Sequence, residues 1–120
     1  MDQRIAEVLR IINTELAGDL SITSLARRIY ISPSHLSHLF KLRTGTSLVS
    51  HVRRQRIEKA THLLINSTLS IKEIAATLHF SDSHHFSRLF AKQVGYPPSQ
   101  TPTKAGNDDY QKSEEWRQFL

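Results

Sequence analysis

Apolar residues recur at helical spacing along almost the whole chain. Ile5, Leu9, Ile12 and Leu16 are separated by four, three and four positions, which predicts one stripe on a helix over about residues 2–17, with Gly18 suited to end it. A second helix should follow Ser21 and run to about Tyr30. Ser32 before Pro33 is the pattern of an N-cap with proline at the first helical position, so a third helix starts there and stops near Gly45. Ser47 can cap a long fourth helix with Leu48, Val52, Ile57, Ala60, Leu63 and Leu64 on its buried face, ending near Asn66. Ser70 and Glu73 form a capping box that opens a fifth helix. A sixth, capped by Ser81 or Asp82, should run to about Val94 and end at Gly95. Pro97 and Pro98 then break the helical pattern, leaving room for a short helical turn from Ser99. The expected fold is all-α, with about seven helices.

The apolar pattern is also duplicated. Ser21, Ile22, Leu25, Ala26, Ile29, Ile31, Ser32 and Ser34 return as Ser70, Ile71, Ile74, Ala75, Leu78, Phe80, Ser81 and Ser83, 49 residues later. Leu36, Ser37, Leu39, Phe40 and Gly45 return as Phe86, Ser87, Leu89, Phe90 and Gly95, 50 residues later. One residue has therefore been added in or just after the second turn. In each copy a short helix presents a Leu/Ile-Ala-Ile/Leu face, an apolar residue plugs a tight corner, and a second helix presents three apolar residues. That is the layout of a helix-turn-helix.

The outward face of each copy is fixed by about 100° of rotation per residue. With Leu36, Leu39 and Phe40 inward, the third helix turns Ser34, His38 and Lys41 outward, with Ser37 on the shoulder. The sixth turns His84 and Arg88 fully outward, with Ser87 and Ala91 beside them and Ser83 and His85 nearer the flanks. Short polar, imidazole and cationic side chains suit base edges and phosphates. The long fourth helix, about 18 residues at about 1.5 Å rise, measures about 27 Å, close to the roughly 34 Å between successive major grooves on one face of B-DNA.

Charge supports a polyanionic partner. The chain has 120 residues and a formal net charge of +5. The imbalance is concentrated: residues 1–106 carry 14 basic and 7 acidic side chains, and the remainder 2 and 4. A membrane surface is disfavoured as the polyanion, because the longest apolar run is Leu63-Leu64-Ile65. The chain contains no cysteine, which removes disulfides and thiolate zinc sites and fits a reducing compartment. The N-terminus, interrupted by Asp2, Arg4, Glu7 and Arg10, is not a secretory signal, so the cytoplasm is the expected location.

Other chemistries fit poorly. His35 and His38 have ligand spacing on a helix, but no third ligand follows a convincing pattern, and neither a metal nor a cofactor is expected. Ser81, Asp82, Ser83, His84 and His85 are too close in sequence to form a nucleophile, base and orienting acid. No enzyme is expected. Phe40, Phe86 and Phe90 lie on inner stripes, which argues against a platform for stacking single-stranded bases. Arg53, Arg54 and Arg56 read first as a solvated helix face, some of which could meet phosphate. The competing function is a helical protein-interaction module whose basic face binds an acidic protein.

The strings S-P-S-H-L-S-H-L-F-K, R-R-Q-R-I-E-K-A-T-H-L-L, I-K-E-I-A, F-S-D-S-H-H-F-S-R-L-F and G-Y-P-P-S together resemble the DNA-binding domain of AraC/XylS-type transcription regulators. The resemblance covers about residues 4–100. It implies a bipartite domain: a first helix-turn-helix subdomain over 1–46, a linker helix over 47–66 and a second subdomain over 67–106, while the acidic composition of 107–120 reads as a disordered tail. It implies sequence-specific binding of asymmetric double-stranded sites, with base reading by Ser34, Ser37 and His38 from the first subdomain and by Ser83, His84, His85, Ser87 and Arg88 from the second. Phosphate contacts fall on Lys41, Arg43, Arg53, Arg54 and Lys92. It further implies activation of transcription through RNA polymerase. The isolated domain is expected to be a monomer excised from a longer regulator, whose N-terminal domain would bind ligand and dimerise. Three positions depart from the family pattern. His79 stands where glycine is usual at the second turn, Ala91 where lysine is common, and Thr101 and Pro102 where the last motif ends in Tyr-Arg.

Overall fold

In the computed structural model, residues 2–101 are described. They form six α-helices and a closing 3-10 turn: α1 (Gln3–Thr14), α2 (Ile22–Arg28), α3 (Pro33–Thr44), α4 (Leu48–Asn66), α5 (Ile71–Thr77), α6 (Ser83–Val94) and the turn Pro98–Gln100. The expected seventh element is thus a single 3-10 turn, and the acidic stretch 107–120 lies outside the described residues. The chain divides into two compact units, residues 1–56 and 57–120, with the boundary inside α4.

In the first unit, Asp2 caps α1 by accepting a hydrogen bond from the Arg4 amide at 2.8 Å. Ile5, Val8, Ile11 and Ile12 are the buried residues of α1, whereas Leu9 and Leu16 are only partly buried against the same core. The apolar stripe is therefore rotated toward Val8 and Ile11 relative to the one the 4-3-4 spacing suggested. The helix also stops three residues short of the expected end, because the chain turns at Glu15. The Arg56 side chain takes over the freed backbone. It donates to the carbonyl of Leu16 at 3.0 Å and to that of Gly18 at 2.8 Å. Glu15 is held in turn by both guanidinium nitrogens of Arg28, at 2.8 and 2.9 Å.

Both α2 and α5 end in the same way. The Tyr30 amide donates to the carbonyl of Arg27 and the Ile31 amide to that of Ala26, at 3.3 and 3.1 Å; in α5 the His79 amide donates to Ala76 and the Phe80 amide to Ala75, at 3.3 and 2.9 Å. This is the Schellman closure, and it requires a left-handed residue at its centre. That residue is Tyr30 (φ 62°) in one copy and His79 (φ 63°) in the other. The His79 departure therefore leaves the turn's backbone unchanged, and strain is accepted instead. The same closure ends α2 at Arg28, two residues short of the expected Tyr30.

From this shared corner the second helix of each pair departs under its own cap. Ser32 accepts from the His35 amide at 3.1 Å, and Asp82 accepts from the His85 amide at 2.6 Å. Gly45 and Gly95 close the two helices in left-handed geometry, with φ of 83° and 103°. Caps and ends are thus both 50 residues apart. Ser32 pairs structurally with Asp82, not with Ser81, and Ser81 is the added residue.

The first core gathers Leu25, Ala26, Leu36, Leu39 and Phe40 with the α1 face and with Leu48 and Val52 from the start of α4. In the second unit Ile57, Ala60, Leu64, Ile74, Ala75, Leu78, Phe86 and Phe90 are buried, and α5 packs on α6. Here a chain of tilted rings runs Phe80, Phe86, Phe90, Tyr96, with centroids 5.0, 5.7 and 6.1 Å apart. Leu63 and Leu89 are only partly buried. Ser47 caps α4 through the Ser50 amide at 3.2 Å, and the Ser70–Glu73 capping box is present in both directions, at 3.0 and 3.1 Å.

Candidate nucleic-acid interface

The 50-residue offset sets up a position-by-position comparison of α3 and α6. Ser34 corresponds to His84, Ser37 to Ser87, His38 to Arg88, Lys41 to Ala91 and Leu42 to Lys92. On α3, Ser34, Ser37, His38 and Lys41 are all exposed, opposite the buried Leu36, Leu39 and Phe40. A shallow open concavity lies over this face, and its described lining is Ser34, Ser37, His38, Lys41 and Leu42. Leu42 is the member of that lining that sequence reasoning passed over. It sits one turn beyond His38 on the same side of the helix, but its apolar character gave no reason to assign it to a polar surface.

On α6, His84, Arg88 and Lys92 are exposed, while Ser83, His85, Ser87 and Ala91 are partly buried. His85 turns toward the core side, its ring 6.5 Å from that of Phe80. Its backbone amide holds the Asp82 carboxyl below the usual aspartate range, so the start of α6 is anchored by an ionised cap. The outward faces thus differ in kind: hydroxyl, imidazole, ammonium and leucine on α3, and imidazole, hydroxyl and two cations on α6.

The basic residues expected at phosphates and Arg56 have different surroundings. Lys41, Arg43, Arg53, Arg54 and Lys92 are exposed, with Arg43 in the last turn of α3 and Lys92 in the last turn of α6. Arg56 is not part of a solvated face. It is partly buried, burial pulls its guanidinium below its ordinary value, and its donors are committed to the turn after α1. His35 gives its amide to the Ser32 cap, and His51 stacks edge-on against Phe40 at 5.4 Å. Among the described residues no three His, Asp or Glu side chains converge as a metal site would require. No described helix is long and apolar enough to cross a membrane.

Known proteins carry the same arrangement. A helix-turn-helix domain family, of the AraC type, matches residues 25–104. The chain belongs to this family. It is 38% identical over 101 residues to the arabinose operon regulatory protein of Escherichia coli K12, a match that covers 83% of this chain and 35% of that protein. It is 39% identical over 94 residues to the uncharacterized HTH-type transcriptional regulator YfiF of Bacillus subtilis, covering 78% of this chain and 30% of that one. The chain therefore spans about a third of the length of these relatives. Among solved structures, the C-terminal domain of the response regulator AraT from Geobacillus stearothermophilus superposes with a TM-score of 0.76 at 31% identity, covering 82% of each chain. The DNA-binding domain of AdpA, solved in complex with a target DNA, superposes with a TM-score of 0.76 at 25% identity, covering 92% of this chain and 96% of that one.

Proposed function

We propose that this chain is a sequence-specific double-stranded DNA-binding module of a transcription regulator, a binding domain and not an enzyme. The observation that carries this reading is the duplicated Schellman-closed helix-turn-helix, whose second helix buries Leu36, Leu39 and Phe40 in one copy and Phe86 and Phe90 in the other, and exposes a polar, cationic face in both. In this arrangement α3 and α6 are the recognition helices. Ser34, Ser37 and His38 meet base edges in one major groove, and His84, Ser87 and Arg88 in the next, with Ser83 and His85 at the flank of the second contact. Lys41, Arg43, Arg53, Arg54 and Lys92 bind phosphates, which position the helices without specifying sequence.

Family membership and the DNA complex of the AdpA domain support the choice of duplex DNA over an acidic protein. Because the outward-facing residues of α3 and α6 differ at four of the five corresponding positions, the preferred site is asymmetric. Activation through RNA polymerase, a monomeric state for this module, dimerisation through an N-terminal domain of a longer regulator, and action in the cytoplasm complete the proposal. They are what the resemblance to AraC-type regulators implies.

Selection from a library of random duplexes tests the reading directly. The expected result is an enriched, non-palindromic motif whose two halves are about one helical turn apart. Affinity should fall by roughly one log unit per log unit of salt for each phosphate contacted. Salt-sensitive binding with no enriched motif would defeat sequence-specific recognition, and no binding to any duplex would favour the acidic-protein reading.

A further inference from the structure

We infer that Leu42 reads the 5-methyl group of a thymine in the groove entered by α3. The inference rests on the DNA-reading proposal above and adds a specificity determinant to it. Leu42 is 65% exposed, in contrast to Leu36 and Phe40 on the opposite face of the same helix, both fully buried. It therefore contributes little to the core. Single exposed leucines are common on protein surfaces, but this one borders the concavity formed with Ser34, Ser37, His38 and Lys41.

The chemistry of the groove selects a single partner for it. Base edges in the major groove offer hydrogen-bond donors and acceptors, which hydroxyl and imidazole side chains can meet. The thymine methyl is the apolar feature on those edges. Leu42 follows His38 by one helical turn, so a base contacted by His38 places its neighbour along the groove near the leucine. The duplicate unit sharpens the assignment. At the structurally equivalent position α6 carries Lys92, an exposed cation whose ammonium is suited to phosphate and not to a methyl group. The first module would therefore discriminate thymine at a position where the second only grips the backbone.

The test uses the 120-residue chain and the duplex enriched by selection, with each thymine replaced singly by deoxyuridine, which lacks only the methyl. At one position in the half-site of the first module, wild-type affinity should fall about fourfold, the worth of one buried methyl. Leu42→Ala and Leu42→Lys should bind the thymine and uracil forms of that position equally. Circular dichroism should show both variants folded, since the side chain lies outside the core. The inference is overturned if the wild type tolerates every replacement, or if Leu42→Ala keeps the full thymine preference. Failure of the wild type to bind any duplex is a separate result, which overturns the DNA reading and this inference with it.

Discussion

The first unit and the second solve the same folding problem with different residues at matched positions. Both bury a Leu/Ile-Ala pair on the short helix, both close it through a left-handed residue, and both end the second helix at a left-handed glycine. They part company at most of the outward positions, at the corner that has slack, and in the kind of side chain that fills the core. The first opens its recognition helix with Ser32-Pro33, the second with Asp82 after an added Ser81. The first packs mainly aliphatic side chains around Phe40, the second a row of four aromatic rings. Packing demands shape at specific angles on a helix and is unforgiving of change. The outer face answers only to a partner, so the two copies are free there to specialise.

The comparison breaks most visibly in the cores. Phe40→Ala and Phe90→Ala each remove a fully buried ring and should cost about 3–5 kcal/mol. Urea denaturation should show similar losses for the two. A loss below about 1 kcal/mol for one of them would mean that the two cores are not equivalent.

The next effect belongs to the unlike faces. Arg88→Ala should weaken binding to the selected duplex by about 1–3 kcal/mol if the arginine is bidentate to a guanine. It should also relax preference at that one base pair, whereas His38→Ala relaxes a different position. Equal losses on all sequences would assign Arg88 to phosphate.

The two caps differ in their response to acid. Ser32→Ala should cost about 1 kcal/mol at any pH, because a hydroxyl cap does not titrate in the range where the protein folds. The Asp82 carboxyl is held below its unfolded value by the His85 amide. Its contribution is therefore complete above about pH 4 and is lost as pH falls through the lowered folded value. Asp82→Ala should accordingly be destabilising at about pH 7, and its difference from wild type should shrink as pH falls below about 4, as read from thermal midpoints. A constant difference across that range would show that the carboxylate charge is irrelevant to the cap.

The smallest effect concerns the strained corner. Tyr30 is 93% exposed at φ 62°, so Tyr30→Gly should relieve left-handed strain and lose little packing. The gain, up to about 1 kcal/mol, is reduced by the entropy that glycine adds to the unfolded chain. A lowered thermal midpoint would mean the tyrosine ring makes a contribution larger than the strain.

Much of this architecture was legible beforehand, because caps and periodicity are local. Ser32-Pro33, Ser47, the Ser70–Glu73 box, Gly45 and Gly95 each set an element boundary through hydrogen bonds made within a few residues. The outward positions Ser34, His38, His84 and Arg88 followed from helix geometry once the inner triads were known. Leu42 was missed because a wheel assigns apolar residues inward by default, although its spacing from His38 carried the needed signal. Arg56 was misplaced for a related reason. Its partners, Leu16 and Gly18, lie 40 and 38 residues away, and nothing in the basic run around it hints at them.

The amino-acid sequence by itself determined the helices, the duplication and the asymmetry of the outer faces, since each depends on residues close in the chain or on their periodicity. Only the tertiary structure decided that Ser81 is the inserted residue, that Tyr30 and His79 both occupy the left-handed corner, that α1 turns Val8 and Ile11 inward, and that Arg56 braces a distant turn. The physical reason is the same in each case. A helix is written in local hydrogen bonds, but its rotation about its own axis and the strain tolerated at its ends are settled by what packs against it.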